Sequence, residues 1–295
     1  MIKKENSKTI RNIVIFTVAV LLSGWIGVFV DTFIPGQPQG NSLGMGLWLV
    51  MPLITSLLLR VFAGDGWDDI GFMPRFKENI KWYIISFIIF PIITFIVMLI
   101  GYISGWIDIS AFNIQSFFTV FIGGFLLQFV KNFFEESVWR GYLTSKLLKL
   151  GIKDFWLYII IGVVWSCWHM AYYLVFLPLN EIQAILAVNR LTFFFIAIVT
   201  LVGWAVMYTE IYRLTKSIWP LVILHMVEDT LINPLILGGY IKITPGKEIF
   251  ISPIIGIITT MLYLAVGLGI RKYRIKQTAP KTNKIIKIDI AGVNN

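Results

Sequence analysis

Six side chains set in otherwise apolar sequence could do chemistry: the adjacent Glu135 and Glu136, Arg140 one helical turn on, His169, and His225 with Asp229 four residues later. An ionisable group in hydrocarbon costs about 2.5–3.5 kcal/mol, so it normally faces a partner or a watered cavity. A glutamate among apolar neighbours is a competent general base toward water, and attack of that water on a peptide carbonyl needs donors aimed at the developing oxyanion. Imidazole N–H groups fill that role, and His169 and His225 are the two histidines of the chain. Asp229 shares a helical face with His225, and Glu228 flanks the same stripe. Each feature alone has a plainer reading. Glu136 and Arg140 match a solvated helix pair, His169 an interhelical hydrogen bond, and His225 with Asp229 a clamp or half of a metal site. Together they point to a buried hydrolytic site.

The elements that must position these groups follow from composition. The chain is 57% hydrophobic and 14% charged, with a mean hydropathy of +0.80, whereas soluble domains carry about 25% charged residues. This is the signature of an all-α, polytopic transmembrane helical bundle. Apolar stretches near 12–33, 45–63, 82–102, 117–139, 155–177, 190–208, 217–237 and 249–270 predict about eight spans. The first, preceded by Lys3, Lys4, Lys8 and Arg11, is too long for a signal sequence and lacks a small-residue cleavage site, so it reads as a retained span. With the N-terminus cytoplasmic, the basic residues outside the cytoplasmic connections are Lys131, Arg190, Lys242 and Lys247, out of 25 Lys and Arg. That asymmetry places both termini in the cytoplasm of a multi-pass cell-membrane protein. The net charge of +9 does not argue for nucleic acid, because it sits in loops and tails and not on a basic face. The single cysteine, Cys167, excludes an intramolecular disulfide and a multi-cysteine metal site. Residues 1–275 read as one membrane domain and 276–295 as a polar cytoplasmic tail.

Glu135 and His169 each lie seventeen residues from position 152, so an antiparallel hairpin of the fourth and fifth spans brings them together about 25 Å from its tip. Arg140, Lys146, Lys149 and Lys153 require that tip to project into water. His225, just after the start of the seventh span, lies about 12 Å inside by the same rise. Glu135, His169, His225 and Asp229 are therefore expected to converge at a site opening toward the cytoplasmic half of the membrane. The loop from Gly64 to Lys81 reads as an ordinary connection.

In order and spacing, Glu135-Glu136-x-x-x-Arg140, Trp165-x-x-x-His169 and His225-x-x-x-Asp229 resemble the three motifs of the CPBP family of CAAX-type and bacteriocin-processing (Abi) intramembrane proteases. The segment from Tyr208 to Pro220 is similar to that family's lead into its third motif, and the resemblance covers roughly 117–237. It implies an endopeptidase in which Glu135 activates the attacking water and His169 positions it. His225 and position 229 would form the oxyanion pocket, and Glu136 with Arg140 would be supporting residues. Asp229 departs from the asparagine of the eukaryotic pattern; an aspartate donates only when protonated, so donor and acceptor roles both stay open. The family has also been described as metalloproteases. No cofactor is favoured, but zinc on Glu135, His169 and His225 is an admissible alternative, with Glu136 or Glu228 then the nearest base. Prenylated CAAX substrates are the family's eukaryotic chemistry. The Ile- and Lys-rich composition has a bacterial character, which turns the expectation toward bacteriocin immunity or signal-peptide maturation.

The expected partners are a membrane-associated peptide or protein substrate and the lipid bilayer, with oligomeric state open. Two other classes compete. A non-catalytic membrane scaffold or regulator has no reason to carry four costly groups at one depth. A proton-coupled transporter would call for matched broken helices in inverted repeats, and Pro91, Pro220, Pro234 and Pro253 form no matched pair.

Overall fold

The computed structural model describes residues 2–279. It is a helical bundle: α1 (Ile2–Asp31), α2 (Leu43–Phe62), α3 (Phe76–Ile103), α4 (Ile114–Gly123), α5 (Phe125–Val138), α6 (Ser145–Lys149), α7 (Asp154–Trp168), α8 (Leu179–Ile185), α9 (Arg190–Thr215), α10 (Trp219–Leu237), α11 (Glu248–Ile251) and α12 (Ile257–Thr278). Two-residue strands β1 (Ile107–Asp108) and β2 (Lys242–Ile243) pair antiparallel at one end. The expected polar tail lies outside the described residues from position 280 on; its first residues continue α12.

Six helices are long and apolar enough to cross a membrane, or seven if the bent pair formed by α4 and the helix that follows it is one span. This makes the chain a multi-pass membrane protein. The eighth expected span, 249–270, is divided between α11 and α12. Any 18-residue stretch of α12 includes Arg271, Lys272 and Arg274, so it fails the same test. Those arginines make a different contribution: Arg271 and Arg274 bond Asp154 at 2.8 and 3.0 Å, and Arg274 reaches the buried Glu210 of α9 at 2.5 Å. They tie α12 to the neighbouring ends of α7 and α9.

The bundle is layered by polarity. Within their apolar windows α10 is 72% and α9 61% buried, against 28% for α1 and for α2. The most buried of them, α10, is also the least apolar, with hydropathy 1.4 against 2.6 for α1 and 2.8 for α3. Polar groups are thus carried where protein and not lipid surrounds them. Small residues let the backbones close up. A Cβ on Gly27 of α1 would lie 2.2 Å from the carbonyl oxygen of Gly44 in α2, and one on Gly162 of α7 would lie 2.5 Å from Cα of Val202 in α9.

Three local features shape the site. The fourth apolar stretch, expected as one helix, breaks by 44° between Gly123 and Phe125, where a Cβ on Gly124 would meet Cγ2 of Thr230 at 3.0 Å. The helix then continues through a π-helical turn at Trp139–Thr144 into α6, and α7 is extended by a second π turn at Tyr172–Phe176. Each π turn follows a motif residue, in keeping with the frequency of such turns at functional sites. The hairpin between α6 and α7 turns at Gly151, whose φ of +66° is left-handed.

The 64–71 loop is clamped, not free. Asp69 takes Arg60 at 2.8 Å, Lys146 at 2.8 Å and Lys149 at 2.9 Å, and its carbonyl accepts from the Tyr212 hydroxyl at 2.7 Å. Tyr142 donates to Asp65 at 2.6 Å, and Arg60 donates to the Gly141 carbonyl at 2.5 Å. A Cβ on Gly141 would sit 3.0 Å from the Ile70 carbonyl oxygen, so the residue after Arg140 is glycine because the loop lies on it.

Two predictions follow from these contacts. Gly27→Ala must move α1 or α2 and should lower stability by about 1–3 kcal/mol, whereas Gly46→Ala, with nothing within 4 Å, should be neutral or slightly stabilising; thermal unfolding in detergent reads both. Burial pushes the Asp69 carboxyl up, but Lys146, Lys149 and Arg60 outweigh it and hold the group below its ordinary 3.8. The folded value is depressed, so the stabilisation is present above the unfolded value and is lost as pH falls through the folded one. Asp69→Asn should therefore unfold at lower temperature than wild type at neutral pH, the gap closing as pH falls below the ordinary carboxylate range.

Candidate active site

The first motif supplies the fixed part of the site. Glu136 and Arg140 are both fully buried, and Nη1 of Arg140 lies 2.8 Å from Oε1 of Glu136. The guanidinium is stacked between aromatic faces, 4.3 Å from the Trp165 ring centroid and 4.1 Å from that of Tyr208. Residues nearly equidistant from position 152 thus do meet, as the hairpin requires. The same Glu136 oxygen is 2.9 Å from Nδ1 of His225. One carboxylate therefore fastens a residue of the hairpin and a residue of α10 together.

The tautomers follow from the acceptors. His169 places Nδ1 2.9 Å from the Trp165 carbonyl oxygen, which only accepts, so Nδ1 carries the proton and Nε2 of the neutral ring is an acceptor. His225 directs Nδ1 at the Glu136 carboxylate, which likewise only accepts. Aromatic rings hold both: Tyr173 stacks on His169 at 5.5 Å, and Trp165 and Tyr208 meet His225 edge-on at 5.7 and 5.8 Å.

Asp229 accepts on both oxygens. Its Oδ2 takes Lys131 and Asn132, each at 2.8 Å, and Oδ1 takes Asn233 at 3.2 Å. All three partners are donors, so in this arrangement the carboxyl is an acceptor. Lys131 also stands 3.5 Å from Oε1 of Glu135. Oε2 of Glu135 is buried and has no hydrogen-bond partner among the described residues.

Glu135, His169, His225 and Asp229 all line one cavity of about 250 Å³, together with Lys131 and Glu228. The four expected groups are brought together. Beyond them the cavity is lined by Met45, Leu177, Ile185, Phe193 and Leu237, from the ends of the helices joined by the 32–42, 177–189 and 238–256 connections. It leads away from the basic end that carries Arg60, Lys146 and Arg213. Sequence reasoning passed over Lys131, Asn132 and Asn233. The signal for Lys131 was present, a cation four residues before Glu135 within an apolar stretch.

The donor set was also tested for a metal. Among the described residues, the histidine and carboxylate atoms that gather within 4.8 Å of one another belong to His225, Glu228 and Asp229, a different group from Glu135, His169 and His225. The Lys131 ammonium 2.8 Å from Asp229 already neutralises one of these ligands and would repel a divalent ion beside it. His225, Glu228 and Asp229 are thus the group whose donor atoms lie near enough to share an ion, with Lys131 competing for Asp229.

A family model described as type II CAAX prenyl endopeptidase Rce1-like matches residues 117–231. It is the CAAX-protease family that the three motifs resemble, and it supports a CAAX-protease-like intramembrane endopeptidase. No curated protein matches the chain.

Removing one member of the buried pair exposes its worth. Arg140→Ala leaves Glu136 uncompensated in the core and should cost about 3–5 kcal/mol. Arg140→Lys restores the charge without the planar stack and should recover only part of it. Thermal unfolding of the three proteins ranks them.

Proposed function

We propose that the chain hydrolyses peptide bonds of membrane-associated peptides or proteins with water activated by Glu135 and without a resident metal. The observation that carries this reading is the free Oε2 of Glu135, buried in a cavity that also holds the histidines of the second and third motifs. Water placed there donates one hydrogen to Glu135 and the other to Nε2 of His169, which leaves an oxygen lone pair for the carbonyl carbon. The Glu136–Arg140 pair holds His225 in place and keeps its ring tautomer fixed. Collapse of the tetrahedral intermediate returns the proton from Glu135 to the leaving amine, giving a carboxylic acid and an amine, which ionise to carboxylate and ammonium by passing the acid's proton to the amine.

The apolar far wall of the cavity suits a substrate delivered from the bilayer. Within this reading the cellular process is bacteriocin immunity or the maturation of signal peptides, both of which present short chains at a membrane. Positive charge concentrated at one end of the bundle supports the orientation with both termini cytoplasmic. The transporter reading is weakened by the single broken span, which has no counterpart among the described residues.

Purified protein and Glu135→Gln, tested on fluorogenic membrane peptides including a prenylated CAAX peptide, decide the matter. The expected result is a loss of about 100-fold or more in the variant, with wild-type cleavage unchanged by a chelator. Cleavage abolished by chelator and restored by zinc would overturn the metal-free mechanism, and full activity in Glu135→Gln would overturn the role of Glu135.

A further inference from the structure

The geometry places a further donor beside those expected for the oxyanion. His169 and His225 direct Nδ1 at fixed acceptors, and Asp229 receives three hydrogen bonds. Lys131 is the cation that lines the cavity among the described residues. A lysine in a span ordinarily extends its head to the interface. This one turns inward: its side chain is 29% exposed, yet Nζ is 2.8 Å from Asp229 and 3.5 Å from Glu135. An ammonium has three N–H donors. One is engaged by Asp229 and a second directed at Glu135, so a third is available within the cavity, next to the carboxylate that would activate the water.

We infer that Lys131 is a catalytic residue, the donor to the carbonyl oxygen of the scissile bond, and that Asp229 is its anchor. The inference rests on the hydrolytic reading above. As the water oxygen bonds to the carbonyl carbon, its proton passes to Glu135 and the C=O π pair moves onto oxygen. That oxyanion takes the Lys131 N–H. When the C–N bond breaks, the π bond re-forms, the contact to Lys131 weakens, and the proton on Glu135 goes to the amine nitrogen. The same pairing accounts for aspartate in the third motif. A side-chain amide at 229 would donate directly, whereas an aspartate there instead holds a lysine that donates for it. Asn132 and Asn233 support the anchor by donating to Asp229 as well.

The test is a cycle of full-length variants in proteoliposomes, using a fluorogenic membrane peptide that wild type cleaves and Glu135→Gln does not. Lys131→Met should lose about 100- to 1000-fold in kcat with KM changed by less than about threefold, the pattern of a contact made in the transition state. Adding Asp229→Asn to Lys131→Met supplies an amide donor and removes the unpaired charge, and should recover kcat by about tenfold or more together with thermal stability. A double variant that regains its unfolding temperature but not kcat would reduce Lys131 to a fastener between α5 and α10 and overturn the inference. So would Lys131→Met with kcat within about threefold of wild type. Either result leaves the Glu135 reading standing, because the substrate was chosen by its dependence on Glu135.

Discussion

The structure depends on one carboxylate in the wrong solvent. Glu136 has no exposure and would be untenable in hydrocarbon alone, so the sequence surrounds it: Arg140 from its own helix and the imidazole of His225 from α10. The guanidinium in turn has no water, and Trp165 and Tyr208 close over its two faces. Four helical segments are thereby fixed by the requirement that one charge be satisfied. Such an arrangement is poor evidence for stability as such, since a buried pair seldom outdoes apolar packing of the same volume. What it supplies is a unique register between the hairpin and α10, and hence fixed positions for Glu135 one residue before and Asp229 one turn beyond.

A second polar layer sits behind the first. Arg60, Asp65, Asp69, Tyr142 and Lys146 lock the 64–71 loop to the hairpin tip, and the ion network of Asp154, Glu210, Arg213 and Arg274 locks the ends of α7, α9 and α12. Both lie toward the tip side of the motif residues. The bundle is closed by ion networks at one end, and the cavity extends away from them among apolar side chains such as Leu177, Phe193 and Leu237.

Much of this was legible because charge in an apolar stretch is conspicuous. Glu135, Glu136, Arg140, His169, His225 and Asp229 stood out by type alone, and counting residues from the turn at 151 matched their depths without any knowledge of side-chain packing. The fold class followed from composition. What was not legible depends on contacts between helices, which leave no spacing in the chain. Lys131 looked like a stray cation until α10 put Asp229 beside it. The break at Gly124 went unread, and the close approach of Thr230 that leaves no room for a side chain there comes from another helix. The polar 64–71 loop resembled any connection because nothing local announces that its partners are Arg60, Tyr142 and Lys146. The stretch expected as the last span is divided between α11 and α12, and the pairing of its basic residues with Asp154 and Glu210 is likewise a contact between helices.

The π turn at Trp139–Thr144 sets a rotational offset within a single continuous helix. Residues before it, Glu135 and Glu136, face the cavity and α10; residues after it, Lys146 and Lys149, face the 64–71 loop. Each residue of an α-helix turns the chain by about 100° and advances it about 1.5 Å. Deleting one residue from this turn would regularise the helix while swinging the clamp about a quarter-turn away from the motif. The length of this short segment is therefore a gearing ratio between two layers of the bundle, and homologous chains would tolerate changes of side chain there far more readily than changes in the number of residues.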